Sequence, residues 1–234
     1  MNVRKIDPIK LTKETAYLAG FVVGDGHISD AKKSKVDQSQ DYRISIEILE
    51  KYLIQHIYKI ICSIINTKSL PVLKINKATQ SITYVLQIRN KSLYHFLTND
   101  LEIPNGAKSF VVFIPPVIMR GSKLIKRYFM AGLFDTDGGI RGKGIGFTTA
   151  SMRLQADVLI ILNEFEITHF KEQWINKKYN RTYYGIQIRG TGIGKFLNTF
   201  PVVNTHRLAK FNHLFCGDAG AAKRDRGLKK SVQA

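Results

Sequence analysis

The sequence is short of acid. Of its 234 residues only 18 are Asp or Glu, against 36 Lys or Arg, which leaves a formal net charge of +18. Such an excess repels itself on a surface unless a polyanion lies against it. Nucleic acid is the first partner to consider and an acidic membrane surface the second; an acidic small-molecule substrate needs far less charge. Cysteine is scarcer still. Cys62 and Cys216 lie far apart in apolar surroundings and in no metal-ligand spacing, which excludes a disulfide scaffold and makes a reducing compartment the expected setting. No apolar run reaches the ~18 residues of a membrane span, and residues 1–8 lack the apolar core of a signal peptide. The expectation is a soluble intracellular protein, cytoplasmic, or organellar in a eukaryotic host. What is present in ordinary measure is apolar residue, 44% of the chain, enough for one large domain or two small ones.

The strongest pattern is a duplication. Tyr84-Val-Leu-Gln87-Ile88-Arg89, followed by Phe96-Leu97, returns one hundred residues later as Tyr184-Gly-Ile-Gln187-Ile188-Arg189, followed by Phe196-Leu197. Ala19-Gly20-Phe21-Val22-Val23-Gly24-Asp25-Gly26 likewise returns as Ala131-Gly132-Leu133-Phe134-Asp135-Thr136-Asp137-Gly138. Each half runs in one order: a small-residue helix ending in Asp-Gly, strands, a Gln-Ile-Arg strand, a helix. Two related halves imply a pseudo-dimer about an approximate two-fold axis.

Periodicity places the elements. Thr12 caps a helix over 13–24, residues 42–48 alternate as a strand, and 49–66 form an amphipathic helix with Ile54, Ile57, Ile61 and Ile64 or Ile65 on its buried side. Strands over 73–77 and 81–89 make a hairpin around Ala78-Thr79-Gln80, and Asn90 caps a helix through Leu97. In the second half a helix covers 122–135, a strand 144–149, a helix starts at Ser151, a hairpin turns at Asn180-Arg181 and a helix follows from Gly192. The halves are residues 1–103 and 122–217. The connection, 104–121, holds Pro104, Pro115 and Pro116, and 218–234 reads as a basic flexible tail.

The spacing Gly20-x-x-x-Gly24 matches Gly132-x-x-x-Thr136, which puts small residues one turn apart on one face of each motif helix. Backbones can then approach closely at the two-fold axis, and the helix C-termini bring Asp25 and Asp137 side by side. A single Asp-Gly is an ordinary helix-ending turn with glycine in the left-handed region. Two, each closing a small-residue helix, are a different matter. Paired carboxylates at the negative ends of two helices repel each other and both macrodipoles, and a divalent cation with oxygen ligands compensates directly.

Leu18-Ala-Gly-Phe-Val-Val-Gly-Asp25-Gly26 and Met130-Ala-Gly-Leu-Phe-Asp-Thr-Asp137-Gly138 resemble the two motifs of monomeric LAGLIDADG homing endonucleases, and the likeness in element order extends to about residue 216. The resemblance implies an α+β fold of two αββαββα halves with the motif helices at the interface. It implies that Asp25 and Asp137 bind a divalent metal over the scissile phosphates, with the carbonyls of Gly24 and Thr136 as further ligands. Mg²⁺ or Mn²⁺ would support cleavage, and Ca²⁺ would bind without supporting it. Val23 stands where the family often has an acid; Asp135 keeps it, at a position facing away from the metal. The family also places a basic residue beside each scissile phosphate: Lys108 in the first half, Arg207 or Lys210 in the second. Glu47 and Thr149 are the candidates, by register, for positioning water.

Alternation then gives a polar sheet face suited to the major groove, where Gln and Arg pair with adenine and guanine edges. Its candidate residues are Ser81, Thr83, Gln87 and Arg89 in one half and Gln187 and Arg189 in the other. Arg43, Lys74, Asn76, Arg141, Lys143, Lys171, Gln173 and Lys177 extend it. Lys32, Lys33, Lys178 and Arg181 are expected on the phosphate backbone. The resulting saddle of two antiparallel sheets would span ~20 bp of double-stranded DNA. The reading is a monomeric site-specific endonuclease of intron homing that leaves short 3′ overhangs at a long asymmetric target. A cleavage-silent intron RNA maturase or a DNA-binding regulator on the same scaffold is the alternative. Gly142-x-Gly144-x-Gly146 and Gly190-x-Gly192-x-Gly194-Lys195 fit neither nucleotide-loop spacing. Met1 is no splicing nucleophile and no terminal His-Asn pair is found, so an intein is not expected.

Overall fold

The structure, a computed structural model, describes residues 8–29, 41–76, 80–204 and 206–211. Lys32, Lys33, the tip of the first hairpin, Cys216 and the expected tail lie outside the described residues. The first half contains α1 (Lys13–Gly24), β1 (Gly26–Ile28), β2 (Arg43–Ile48), α2 (Lys51–Ile64), β3 (Val72–Ile75), β4 (Ile82–Arg89) and α3 (Lys91–His95), which continues as a wider turn over Phe96–Asp100. After a short α4 (Pro116–Met119) the order repeats as α5 (Lys123–Asp137), β5 (Gly139–Arg141), β6 (Gly144–Thr149), α6 (Met152–Glu164), β7 (Phe170–Asn176), β8 (Arg181–Arg189) and α7 (Thr191–Thr199). Both halves are therefore αββαββα. Each carries a four-stranded antiparallel sheet, ordered β1-β2-β4-β3 and β5-β6-β8-β7.

Local chemistry explains the element starts. Thr12 and Thr15 form a reciprocal capping box, with Thr15 N donating to Thr12 Oγ1 at 3.3 Å and Thr12 N to Thr15 Oγ1 at 2.7 Å. Asn90, Ser122 and Ser151 cap α3, α5 and α6 through the main-chain N–H three residues on. β1 and β5 were not legible, because three residues are too few to show a period. One side of the first sheet, Ile44, Ile46, Ile48, Leu86 and Ile88, packs on Leu53, Ile54, Ile57 and Ile61 of α2. In the second, Ile145, Phe147, Ile186 and Ile188 meet Leu154, Val158 and Ile161 of α6.

The helix α1 is buried on all sides from Thr15 to Val23, which fits its lack of a polar face. It is pressed against α5. A Cβ on Gly20 would overlap the carbonyl oxygen of Phe129 and lie 2.9 Å from Leu133 N. One on Gly132 would overlap Tyr17 O, and one on Gly24 would overlap Thr136 Oγ1. Gly26 and Gly138 are not left-handed; Gly138 has φ −70°. They are glycine because a Cβ would strike Val22 in one case and the Phe134 carbonyl and ring in the other. Among the described residues no helix is long and apolar enough to cross a membrane.

Overpacking this contact should be expensive. Gly20→Ala is expected to lower unfolding stability by about 3 kcal/mol, measured by urea denaturation. Gly194→Ala, on the exposed side of α7 with nothing within 4 Å of its new Cβ, should be neutral or slightly stabilising.

Candidate catalytic centre and nucleic-acid interface

The helix contact delivers two carboxylates to one place. Asp25 caps the C-terminus of α1 and Asp137 is the last residue of α5. The absent Cβ at Gly24 makes room for Thr136 and sets Asp137 beside the end of α1, its carboxyl carbon 3.4 Å from where that Cβ would stand. Together with Lys108, Thr148, Arg181 and Tyr183, these acids line a cavity of about 400 Å³. Burial pushes the Asp137 carboxyl up to about 7; the Asp25 charge adds to the rise, while Lys108 and Arg207 oppose it. Burial raises Asp25 as well, against Arg207 and Lys108. Neither carboxylate receives a hydrogen bond from a described residue.

Each helix end has its own cation. Lys108, which is almost fully buried, uses its three N–H groups on the last carbonyls of α1: Val22 O at 2.6 Å, and Val23 O and Gly24 O each at 2.7 Å. A helix C-terminus leaves such carbonyls without partners. Burial lowers the Lys108 ammonium to about 8, with Asp137 and Asp25 pulling the other way. At α5 the same place is taken by Arg207, whose Nη1 donates to Phe134 O at 3.2 Å and to Gly138 O. Sequence left Arg207 and Lys210 as alternatives. The structure puts Arg207 against the motif helix and Lys210 at an exposed position one turn further along the 206–211 helix. The choice depends on helix-end contacts that no local pattern encodes.

The donor set suits a hard divalent cation: two mutually repelling carboxylates at the cavity, Asp25 exposed and Asp137 half-buried, with main-chain carbonyls beside them. Among the described residues no three His, Cys, Asp or Glu side chains converge, so further ligands would be carbonyl, water or phosphate oxygens. Gly24 O, expected as a ligand, is here an acceptor for Lys108. Thr136 turns its hydroxyl back onto Gly132 O and Leu133 O of its own helix.

Asp135 faces away from the pair, as expected, and is fully buried. It accepts from Tyr17 Oη at 2.7 Å and from the N–H groups of Val203 and Asn204. Burial raises it to about 6, against those hydrogen bonds and Arg207.

Several interface expectations need correction. Glu47 does not line the central cavity; its carboxylate holds Lys74 Nζ at 3.0 Å and Thr83 Oγ1 at 2.8 Å, contacts that keep it below the usual range. Its counterpart in the second half is Thr148, not Thr149: Glu47 pairs with Val85 and Thr148 with Gly185. Thr149 also lines the cavity, and its Oγ1 accepts from Ser151 N.

Lys171 and Gln173 lie across from Ile186 and Tyr184, on the helix side of the sheet. Directly paired residues share a face, so β7 presents Phe170, Glu172 and Trp174 beside Gln187, Gly185 and Tyr183 instead. Gln187 is only 1% exposed. The two-residue turn Gly142-Lys143 covers it, its Nε2 donates to Arg141 O, and its Oε1 has no partner among the described residues. Gln87 is exposed.

Other expected residues do share the groove face, several of them in ion pairs. Arg43 and Arg89 both hold Asp41, at 3.2 and 3.3 Å. Arg141 donates to Glu172 Oε2 at 2.6 Å and Thr148 Oγ1 at 2.6 Å while its guanidinium lies 4.6 Å from the Trp174 ring centre. Arg189 is exposed at the end of β8 and lies 5.1 Å from the Phe170 ring centre. Arg181 stacks on Phe110 at 4.9 Å. Asn76 and Ser81 flank the first hairpin turn, where Asn76 N donates to Ser81 O at 2.9 Å. Lys143 and Lys177 are exposed on turns. Asp41, Glu172 and Trp174 were missed; the strand signal was read without its partner's register.

Residues 125–211 match the model of a LAGLIDADG-like domain. The fold is the LAGLIDADG fold: the chain superposes on homing endonuclease I-DmoI in complex with DNA and Mn with a TM-score of 0.63, at 22% identity, over 82% of this chain and 97% of that one. Homing endonuclease I-WcaI bound to its DNA recognition sequence gives 0.56, at 18% identity, over 86% and 87%. A curated relative, the replication factor C small subunit of Methanocaldococcus jannaschii, is 27% identical over 204 residues, 85% of this chain. The chain spans about 10% of that relative's length.

The acid pair carries a pH signature. The Asp137 carboxyl is raised in the folded state, so its charged form is penalised there. The penalty is absent below about 3.8, grows as pH rises, and is complete above about 7. Asp137→Asn is therefore expected to stabilise the metal-free protein by a few kcal/mol at pH 8, with the gap closing toward pH 4. Denaturation at pH 8, 6 and 4 measures it.

Proposed function

We propose that the protein is a site-specific, divalent-metal-dependent DNA endonuclease of intron homing. It cuts both strands of a long asymmetric target near the pseudo-two-fold axis and leaves short 3′ overhangs. The observation that carries this reading is the doubled unit at that axis: Asp25 with Lys108 and Asp137 with Arg207, held by two helix ends in contact. Two strands of a duplex need two such units, and a binding module needs neither.

Asp25 and Asp137 would hold the cation, Mg²⁺ or Mn²⁺. When bound, it would supply Lewis acidity, an activated water and stabilisation of the leaving oxygen. The chain's own part is electrostatic and positional. Lys108 and Arg207 offset the acids and give each scissile phosphate a fixed positive neighbour. Thr148, on the cavity wall, can accept or donate a hydrogen bond to water. The polar sheet faces, with Gln87, Arg89, Lys74, Arg43 and Arg189, supply base-edge and phosphate contacts along the double-stranded DNA. One monomer suffices, since the two-fold relation is internal.

The test is a cleavage assay on intron-free host genomic DNA with Mg²⁺, with the ends sequenced. One dominant double-strand break is expected, lost in chelator and reduced at least a hundredfold by Asp25→Asn or Asp137→Asn. Ca²⁺ should leave the DNA bound and uncut. Tight binding with no cut under any divalent metal would instead support the maturase or regulator on this scaffold. Affinity should fall steeply with salt, its log-log slope about −0.9 per phosphate contacted; a flat dependence would remove the phosphate-contact account.

A further inference from the structure

The two halves differ in how their basic residue is held, and the difference begins at Asp135. Its two oxygens take Tyr17 Oη at 2.7 Å, Val203 N at 3.0 Å and Asn204 N at 2.8 Å, and Asn204 Nδ2 returns to Asp135 O at 3.1 Å. The chain after α7 is thereby fastened to the motif helix. Asn204, completely buried, then acts as the cap of the 206–211 helix: its Oδ1 accepts Arg207 N at 3.1 Å and Tyr52 Oη at 2.6 Å. Three residues beyond this anchor, the Arg207 guanidinium meets the end of α5.

The helix pair itself does not require an acid at this position. Val23 occupies the equivalent place in α1 and is equally buried. Lys108 is carried by main-chain bonds instead: Gly106 N donates to Ile28 O at 2.9 Å, and Val111 N and Val112 N to Lys108 O. An acid is needed only where main-chain N–H groups of a returning segment point at the helix. Tyr17 and Tyr52 both belong to the first half, so the first half helps to place the basic residue of the second.

We infer that Asp135 is a positioning residue for Arg207, acting through Asn204, and that it governs the cut of one strand only. This rests on the endonuclease reading above. Asp135→Asn keeps the size but replaces one of the two acceptor oxygens that Tyr17 Oη, Val203 N and Asn204 N share with an N–H₂, and removes the charge. The anchor of Arg207 is then weakened while Lys108 keeps its own.

The experiment uses the full chain and a supercoiled plasmid bearing the target that the wild-type protein cuts, with each strand labelled separately. Asp135→Asn should slow one strand on the order of tenfold or more and leave the other within about twofold. Nicked circles should accumulate, and the slowed strand should be the one that Arg207→Ala slows. Tyr52→Phe, at a half-buried site, should slow the same strand less, and it carries the test if Asp135→Asn does not fold. Equal slowing of both strands, no slowing, or slowing of the opposite strand would overturn the inference. If the wild-type protein cuts nothing, the endonuclease reading fails separately. The Arg207 Nε–H resonance of the free protein then decides: it should be distinct in the wild type and solvent-averaged in Asp135→Asn, and an unchanged resonance would count against the coupling.

Discussion

Everything in this molecule hangs on the contact between α1 and α5. Two helix backbones touch because Gly20 and Gly132 have no side chain to keep them apart. The same contact is electrostatically awkward. It sets two negative helix ends together and adds a carboxylate to each. Lys108 and Arg207 answer the awkwardness by donating to the terminal carbonyls. Packing thus dictates the charge arrangement, and the charge arrangement is the site. The two sheets follow from the same axis, since each is laid against its own motif helix and its own long helix, α2 or α6.

The duplication is strict in topology and loose in chemistry. Strand order is the same in both halves, and the register Glu47–Val85 repeats as Thr148–Gly185. Side chains at matching places have diverged: Val23 against Asp135, Lys108 against Arg207, exposed Gln87 against covered Gln187. The connection from β1 to β2 is long, whereas β5 and β6 are joined by two residues that close over Gln187. On the proposed function, unlike groove faces would suit a target whose two halves differ.

Much of this was legible in the residues. The helix caps at Thr12, Asn90 and Ser151, the strands β2, β4, β6 and β8, and the close helix pair all follow from local signals: a capping hydroxyl or amide, a period of two, small residues one turn apart. What could not be read depends on which residues become neighbours. The face of β7 is decided by its pairing with β8, and alternation alone allows either choice. Gln187 looks like Gln87 in sequence and is hidden only because a turn from elsewhere folds over it. Arg207 and Lys210 are both basic and one turn apart. The contacts that separate them, Arg207 on Phe134 O and Gly138 O and Asn204 on Asp135, join residues far apart in the sequence.

On the proposed function, the centre would also have to reconcile a duplex polyanion with two acids, Asp25 exposed and Asp137 half-buried. Alone, Asp25 and Asp137 would repel any phosphate brought to them, and the excess of +18 lies over a whole surface. Locally the account is closer to neutral: two carboxylates, one ammonium, one guanidinium. A near-neutral unit at the axis neither attracts nor repels strongly, so on that reading the broad basic surface would do the gathering and the centre would be left free to respond to a small, doubly charged cation. The raised Asp137 carboxyl is the mark of that arrangement. Its ionised form is only partly stabilised by water, so a cation and the phosphate that accompanies it would meet a site whose oxygens still lack donors among the described residues. An acid pair already satisfied by hydrogen bonds, as Asp135 is, would have no such demand left to offer.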